Sequence, residues 1–97
     1  MSRSLRFDAA AEREPNEAVD FYELESPGLG DVLLAELEHA LAQIAAFPAA
    51  AEPLRDGVRR RLLHTFPYAL LHSLRGEEIR ILAVAHQRRR PFYWEDR

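Results

Sequence analysis

Arginine and histidine supply most of the chemistry open to this chain. Arg59-Arg60-Arg61, His64, Arg80, His86 and Arg88-Arg89-Arg90 crowd its C-terminal half, and the aromatic run Phe92-Tyr93-Trp94 follows them. A guanidinium is a planar fork that pairs with phosphate or carboxylate through two parallel hydrogen bonds. An imidazole with an ordinary pKa of about 6.5 can take or give a proton near neutrality. In a phosphoryl-cleaving site Arg60 and Arg88 would hold the scissile phosphate, His86 would act as general base or acid, and Tyr93 would orient the substrate. In a binding site Arg60, Arg80, Arg88, Arg89 and Arg90 would meet a target directly. Plainer roles compete with both. The run Arg59-Arg60-Arg61 on a strand alternates between faces and reads equally as a charged edge that discourages aggregation. The sharper reading gathers Arg60, His64, Arg80, His86 and Arg88 around one concave sheet face. A histidine at a strand end also serves to bind a turn carbonyl. Phe92, Tyr93 and Trp94 either fold back, closing the core with Trp94, or stack on bases.

These residues need a scaffold, and hydrophobic periodicity supplies one. Ser4 to Asp8 reads as a short strand with Leu5 and Phe7 on one face and Arg6 on the other. Asp8 is placed to cap a helix near Ala9. Pro15 interrupts that helix, so its firm part runs from Pro15 to Ser26, with any earlier turn separate. After the breaker Ser26-Pro27-Gly28-Leu29-Gly30, a longer helix opens at Asp31. Val32, Leu33, Leu37, Ala40, Leu41, Ile44 and Phe47 form its apolar stripe, and Pro48 ends it. So short a loop predicts an antiparallel helical hairpin, with Glu23, Glu25, Glu36 and Glu38 on solvated faces. Ala45 to Pro53 reads as a connection. From Val58 the period changes to that of strands: Val58 to His64, Tyr68 to Leu74 and Ile79 to His86, an antiparallel meander. Strict alternation would turn Ile79, Ile81, Ala83 and Ala85 toward the helices and Arg80, Leu82, Val84 and His86 away from them. The expected class is α+β, one domain over residues 1–97, with a C-terminal tail packed on the sheet.

Composition narrows the function. The chain has 97 residues and no cysteine, which removes disulfides, thiolate metal sites and thiol nucleophiles and suits a reducing cytoplasm. Met1-Ser2-Arg3-Ser4-Leu5-Arg6 leads into no apolar stretch, so no signal peptide is expected, and no apolar run is long enough to span a bilayer. His39, His64, His72 and His86 lack the spacing of a zinc site, and there is no glycine-rich phosphate loop or serine elbow. We therefore expect no metal, no cofactor and no membrane partner. Formal net charge is −3, but residues 1–53 carry three arginines against eleven carboxylates, while residues 54–97 carry ten against five. The two halves promise electrically different surfaces. Every basic side chain is arginine.

Five segments together resemble a known family. They are Glu17-Ala18-Val19-Asp20-Phe21-Tyr22, Pro27-Gly28-Leu29-Gly30, Phe47-Pro48, Arg60 with Phe66-Pro67-Tyr68, and Ala83-Val84-Ala85-His86 through Trp94. In this order, over Phe7 to Arg97, they resemble the RelE/ParE superfamily of type II toxin-antitoxin toxins, and the ParE-like branch more than the RelE-like one. The resemblance implies a strand, a helical hairpin and a three-stranded meander, matching the periodicity. It implies a toxin that arrests growth and is neutralised by a cognate antitoxin. ParE-like members poison DNA gyrase without being enzymes; RelE-like members cleave mRNA in the ribosome. The nucleases place an arginine after the strand-opening tyrosine, where this chain has Ala69, and a strand lysine falls on Leu62. Arg60, Arg88 and Tyr93 still match, so three outcomes follow: a gyrase inhibitor, a ribosome-dependent endoribonuclease, or a decayed toxin that only binds antitoxin. The antitoxin is expected on the helical hairpin, over Tyr22, Glu23, Glu25 and Glu36.

Overall fold

Alternation of Leu5 and Phe7 with polar neighbours makes Ser4–Phe7 the first strand, β1, in this computed structural model, which describes residues 4–97 apart from the side chain of Asp96. Met1, Ser2 and Arg3, part of the stretch read as no signal peptide, lie outside the described residues. Asp8 does begin a helical turn, but only a 3-10 turn over Ala9–Ala11, and its side chain does not cap it. Helix α1 spans Glu14–Glu25 with Pro15 in its first turn, where its missing N–H costs nothing.

Helix α2 spans Leu29–Ala46 and begins two residues before the expected Asp31. The reason lies in α1. Gly28 turns the chain with φ 92°, and the Glu23 carboxylate accepts the amides of Gly28 at 2.9 Å and Gly30 at 3.0 Å. An anion on those orphan N–H groups caps the helix. Gly30 is needed for the close crossing: a Cβ there would sit 2.9 Å from the Val19 carbonyl oxygen. The buried row of α2 is Leu33, Leu37, Ala40 and Ile44. Val32 and Phe47, predicted on the stripe, are 51% and 68% exposed. Val32 lies one residue, about 100°, off that row, and Phe47 falls after the last helical residue.

The sheet has five strands in the order β1-β5-β4-β3-β2, with β2 at Glu52–Arg55, β3 at Val58–Leu62, β4 at Tyr68–Arg75 and β5 at Glu78–His86. The predicted meander is β3-β4-β5, all antiparallel; β1 joins it parallel to β5, with Phe7 opposite Ile81. The expected connection from Ala45 to Pro53 instead contains a 3-10 turn over Pro48–Ala50 and the start of edge strand β2. Asp56 and Gly57 join β2 to β3, both at positive φ, 51° and 77°. Two left-handed residues give the turn whose twist suits a two-residue hairpin.

Strict alternation on β5 fails at one point. Leu71 of β4 pairs with Ala83, but the next residue, His72, pairs with Ile81, leaving Leu82 as an inserted residue. One extra residue reverses the faces beyond it. Ile79 and Ile81 pack under the helices with Leu33, Leu37 and Ile44 as predicted. Val84 joins them, while Ala83 and Ala85 turn to the outer face with Leu82, Leu71 and Val58. Two apolar clusters thus line the two sides of one sheet. No helix among the described residues is long and apolar enough to cross a membrane.

His72, on β4, is 1% exposed; its Nε2–H donates to the Pro48 carbonyl at 3.0 Å and its Nδ1 has no partner. Burial pushes its pKa below the ordinary 6.5; the bond to Pro48 opposes the shift, and Arg59 and Arg61 add to it. The unfolded chain therefore takes up this proton before the folded one does, so the stability held above about pH 6.5 is lost as pH falls below it. Urea unfolding between about pH 7.5 and about pH 5.5 should show a decline of at most about 1.4 kcal/mol per unit from this residue. His72→Gln, which keeps a donor for Pro48, should flatten the decline.

Candidate functional site

The outer face of the sheet is built from alternate residues of four strands. Glu52 of β2 lies opposite Arg60, Arg60 opposite Leu71, and Leu71 opposite Ala83; one step along, Leu62 lies opposite Ala69 and Ala69 opposite Ala85. Three of these are alanines, which leaves depth for the tail to settle. Residues 87–97 turn back across this face and end in a 3-10 turn, Tyr93–Asp96. Between them runs a groove of about 390 Å³ with Leu54, Leu62, Ala69 and Ala85 in its floor, Phe92 and Trp94 on one wall, and Arg60, Arg89 and Arg90 around it.

One carboxylate holds the tail. Glu14, in the first turn of α1, accepts the Tyr93 hydroxyl at 2.6 Å and both Arg97 nitrogens at 2.9 and 3.0 Å. The same carboxylate accepts the backbone N–H of Val84 at 2.9 Å, and Arg97 donates to the Leu82 carbonyl at 2.9 Å. Tyr93 is 9% exposed, and its ring lies under the guanidiniums of Arg89 at 3.8 Å and Arg97 at 5.0 Å. Burial first, and the bond to Glu14 next, hold its hydroxyl far above the usual tyrosine range. A phenol so placed does not ionise near neutrality. The expected closing tail is present, although Tyr93 is buried more deeply than the half-buried Trp94.

The other residues expected at a site are placed as follows. The run Arg59-Arg60-Arg61 alternates as anticipated. Arg59 reaches the Ala51 carbonyl at 2.7 Å and Arg61 reaches Gln43 of α2, while Arg60 points to the outer face and pairs with Glu52 at 3.0 Å. His86 sits at the mouth of the groove, edge-on to Tyr68, and its Nδ1 accepts the backbone N–H of Arg88 at 3.0 Å. The ring thus serves a turn at the strand end, but it accepts an amide where a bond to a carbonyl was expected. The single concave face gathering Arg60, His64, Arg80, His86 and Arg88 does not form. Arg80 lies toward the far end of β5, paired with Asp8 at 3.3 Å and Glu78 at 3.2 Å. His64 lies on the helix side, near Glu36, and Arg88 does not line the groove. Arg89 and Arg90 do line it. Sequence reasoning missed Glu14 as an anchor and Leu54 as part of the floor. The Asp56-Gly57 pair between Leu54 and Val58 was the signal for the hairpin that places Leu54 there. Among the described residues no group of three or more His, Asp or Glu is arranged to hold a metal ion.

The hairpin carries a different surface. Tyr22 is half-buried against Phe66 and Tyr68, at 4.9 and 6.3 Å between ring centres. Two of its expected solvated glutamates are structural. Glu23 caps α2, and Glu36 accepts the amides of His64 at 2.5 Å and Thr65 at 2.9 Å. Desolvation works to raise the Glu36 pKa, but the bonds from Thr65 and His64 outweigh it and bring it below the ordinary value. Glu25 and Glu38 are exposed, as are Phe21 at 52% and Leu24 at 89%. Leu5, Phe7, Leu34 and Leu41 line a second groove, about 450 Å³, between β1 and α2.

A strand, a helical hairpin and an antiparallel meander follow one another in the order that the RelE/ParE resemblance implies. The family model described as ParE toxin of type II toxin-antitoxin system, parDE, matches residues 5–91, and the chain belongs to that family. Among solved structures, a chain of the chromosomal ParDE toxin-antitoxin system from P. aeruginosa is similar with TM-score 0.76 and 21% identity, over 88% of this chain and 96% of that one. A chain of the RelBE2 toxin-antitoxin complex from Mycobacterium tuberculosis is similar with TM-score 0.61 and 22% identity, over 89% and 99%. At these identities the two likenesses speak for the fold. No curated protein matches significantly.

The tail anchor makes a measurable claim. Glu14→Ala removes the acceptor for Tyr93, Arg97 and the Val84 amide together, and should cost about 2 kcal/mol for a charge-assisted, partly buried set. Thermal unfolding should shift down accordingly. Trypsin should cut after Arg88 or Arg89 faster than in wild type while the strand arginines stay protected.

Proposed function

We propose that this ParE-family toxin arrests growth by binding DNA gyrase and does so without cleaving RNA. The observation that carries the reading is the pair Leu62 and Ala69, opposite each other in the floor of the groove. These are the two positions where the RelE-like nucleases resembled by this chain place basic residues. An apolar pair there offers a phosphodiester nothing to stabilise developing negative charge. Three of the remaining nuclease candidates support the same reading. Tyr93 gives its hydroxyl to Glu14, His86 accepts a turn amide, and Arg88 does not line the groove.

For the antitoxin, the supporting surface is the helical hairpin with its flanking groove. Phe21, Leu24 and Leu34 expose apolar area there, and a segment that orders on binding needs such area to offset its entropy cost. Of the acidic positions expected to meet basic antitoxin residues, Glu25 is free of the capping duties that hold Glu23 and Glu36. Its charge reversal is the variant that separates binding from folding. Glu25→Arg should weaken the antitoxin complex without lowering thermal stability, whereas Glu23→Arg should lower both.

Pulse labelling after induction without antitoxin tests the target. DNA synthesis should fall before protein synthesis, and the purified toxin should inhibit gyrase supercoiling. Early loss of protein synthesis, with mRNA cut in the ribosomal A site, would replace this reading with the nuclease one.

A further inference from the structure

We propose that the groove on the outer sheet face receives an extended protein segment bearing carboxylates beside a bulky apolar side chain, and not a nucleic-acid strand. The inference rests on the toxin reading above in treating this face as the one that meets the target. It does not require the target to be gyrase.

Three observations lead to that occupant. The first is the floor. Leu62 is 48% exposed, an apolar side chain left open beside the buried Ala69 and against the wall of Phe92 and Trp94. At about 390 Å³ the groove falls in the range of about 300–1,000 Å³ typical of sites that bury a compact apolar group. An incoming leucine or aromatic ring would cover Leu62 and gain the burial it lacks.

The second is the rim. One of its arginines already binds a carboxylate, Arg60 holding Glu52 at 3.0 Å, and Arg55, just beyond the wall, likewise holds Glu95, while Arg89 and Arg90 add positive charge beside them. Glu52 is 56% exposed and Glu95 36%, so these are surface pairs of little net worth, readily exchanged for an incoming carboxylate. A nucleic-acid strand fares worse. It carries a charge at every nucleotide and would meet Glu52 and Glu95 along with the arginines, losing the uniform basic track that phosphate binding requires.

The third is the aromatic run. Base stacking needs an open ring face, yet Arg55 lies 3.4 Å over the Phe92 ring and Arg89 lies 3.8 Å over the Tyr93 ring. Phe92 takes positive φ, 60°, a conformation unusual for a bulky residue. With the backbone turned this way the ring forms part of the wall, already stacked on a cation.

The test is selection of displayed dodecapeptides on the purified full-length toxin, beside binding of a single-stranded oligonucleotide of the same length. Wild type should enrich Asp or Glu next to Leu, Phe or Trp. Leu62→Asp and Arg60→Glu, both at surface-accessible side chains and checked for unchanged circular dichroism, should each lower affinity for a selected peptide by about tenfold or more. The oligonucleotide should bind wild type no better than Arg60→Glu. Oligonucleotide binding that Arg60→Glu weakens, or peptide enrichment no greater on wild type than on Leu62→Asp, would overturn the proposal. Acidic-apolar peptides selected by a toxin that leaves supercoiling untouched would uphold the groove and discard gyrase. Supercoiling inhibition without peptide selection would do the reverse.

Discussion

Strand β1 is too short for its neighbour, and much of the structure answers that fact. Pairing between β1 and β5 ends at Phe7 and Ile81, with the Asp8 amide making the last ladder bond to the Ile81 carbonyl. Beyond that point the edge of β5 would present bare backbone groups. Glu14 meets the Val84 N–H and Arg97 meets the Leu82 carbonyl, so a bonded pair of side chains stands where a strand would have been. An unpaired backbone group away from water costs as much as a lost hydrogen bond. The pair that removes this cost also fixes the start of α1 and the end of the chain. The tail lies across the outer face because its last arginine is needed on β5.

The inserted Leu82 works together with that clamp. By reversing the alternation it sends Val84 under the helices and Ala83 and Ala85 to the outer face. Small side chains there let the Tyr93 ring sink to 9% exposure while its hydroxyl still reaches Glu14. An unbroken alternation would have put Val84 on the tail side and alanines under the helices. Both packing layers would then be filled with the wrong volumes. A single extra residue thus makes one sheet serve two cores.

The parts of this design with strong local signals were legible in the sequence. The helical hairpin followed from its apolar period and the Ser26 to Gly30 breaker, and β3, β4 and β5 from alternation and turns. The tail packed on the sheet, as expected. The bulge was not legible, because Ile79-Arg80-Ile81-Leu82-Ala83-Val84-Ala85 alternates acceptably in either phase; only pairing with β4 shows where the phase changes. Strand β2 hid behind Pro53, which belongs on an edge, although Asp56-Gly57 marked its turn. At the candidate site, Arg60, His86, Arg89, Arg90 and Tyr93 were found by residue type and do converge. Arg80, His64 and Arg88 share that type but do not line the groove. Glu14 could not be singled out among so many acidic residues, since its role depends on Tyr93 and Arg97, some eighty positions away in the chain.

The charge pattern of the sequence changes its meaning on folding. Residues 54–97 hold ten of the thirteen arginines, which as a string suggests a basic surface. In the fold the acidic half reaches over to them: Asp8 to Arg80, Glu14 to Arg97, Glu52 to Arg60. Glu78 and Glu95, from the basic half itself, take Arg6 and Arg55. Affinity for a polyanion grows with the number of phosphates a protein can neutralise, and each carboxylate standing beside an arginine repels the strand that the arginine attracts. What remains around the groove is a patch of mixed sign over an apolar floor. Such a surface gives little long-range pull toward RNA, but it can distinguish one protein segment from another, since carboxylates and apolar anchors must arrive together to fit it.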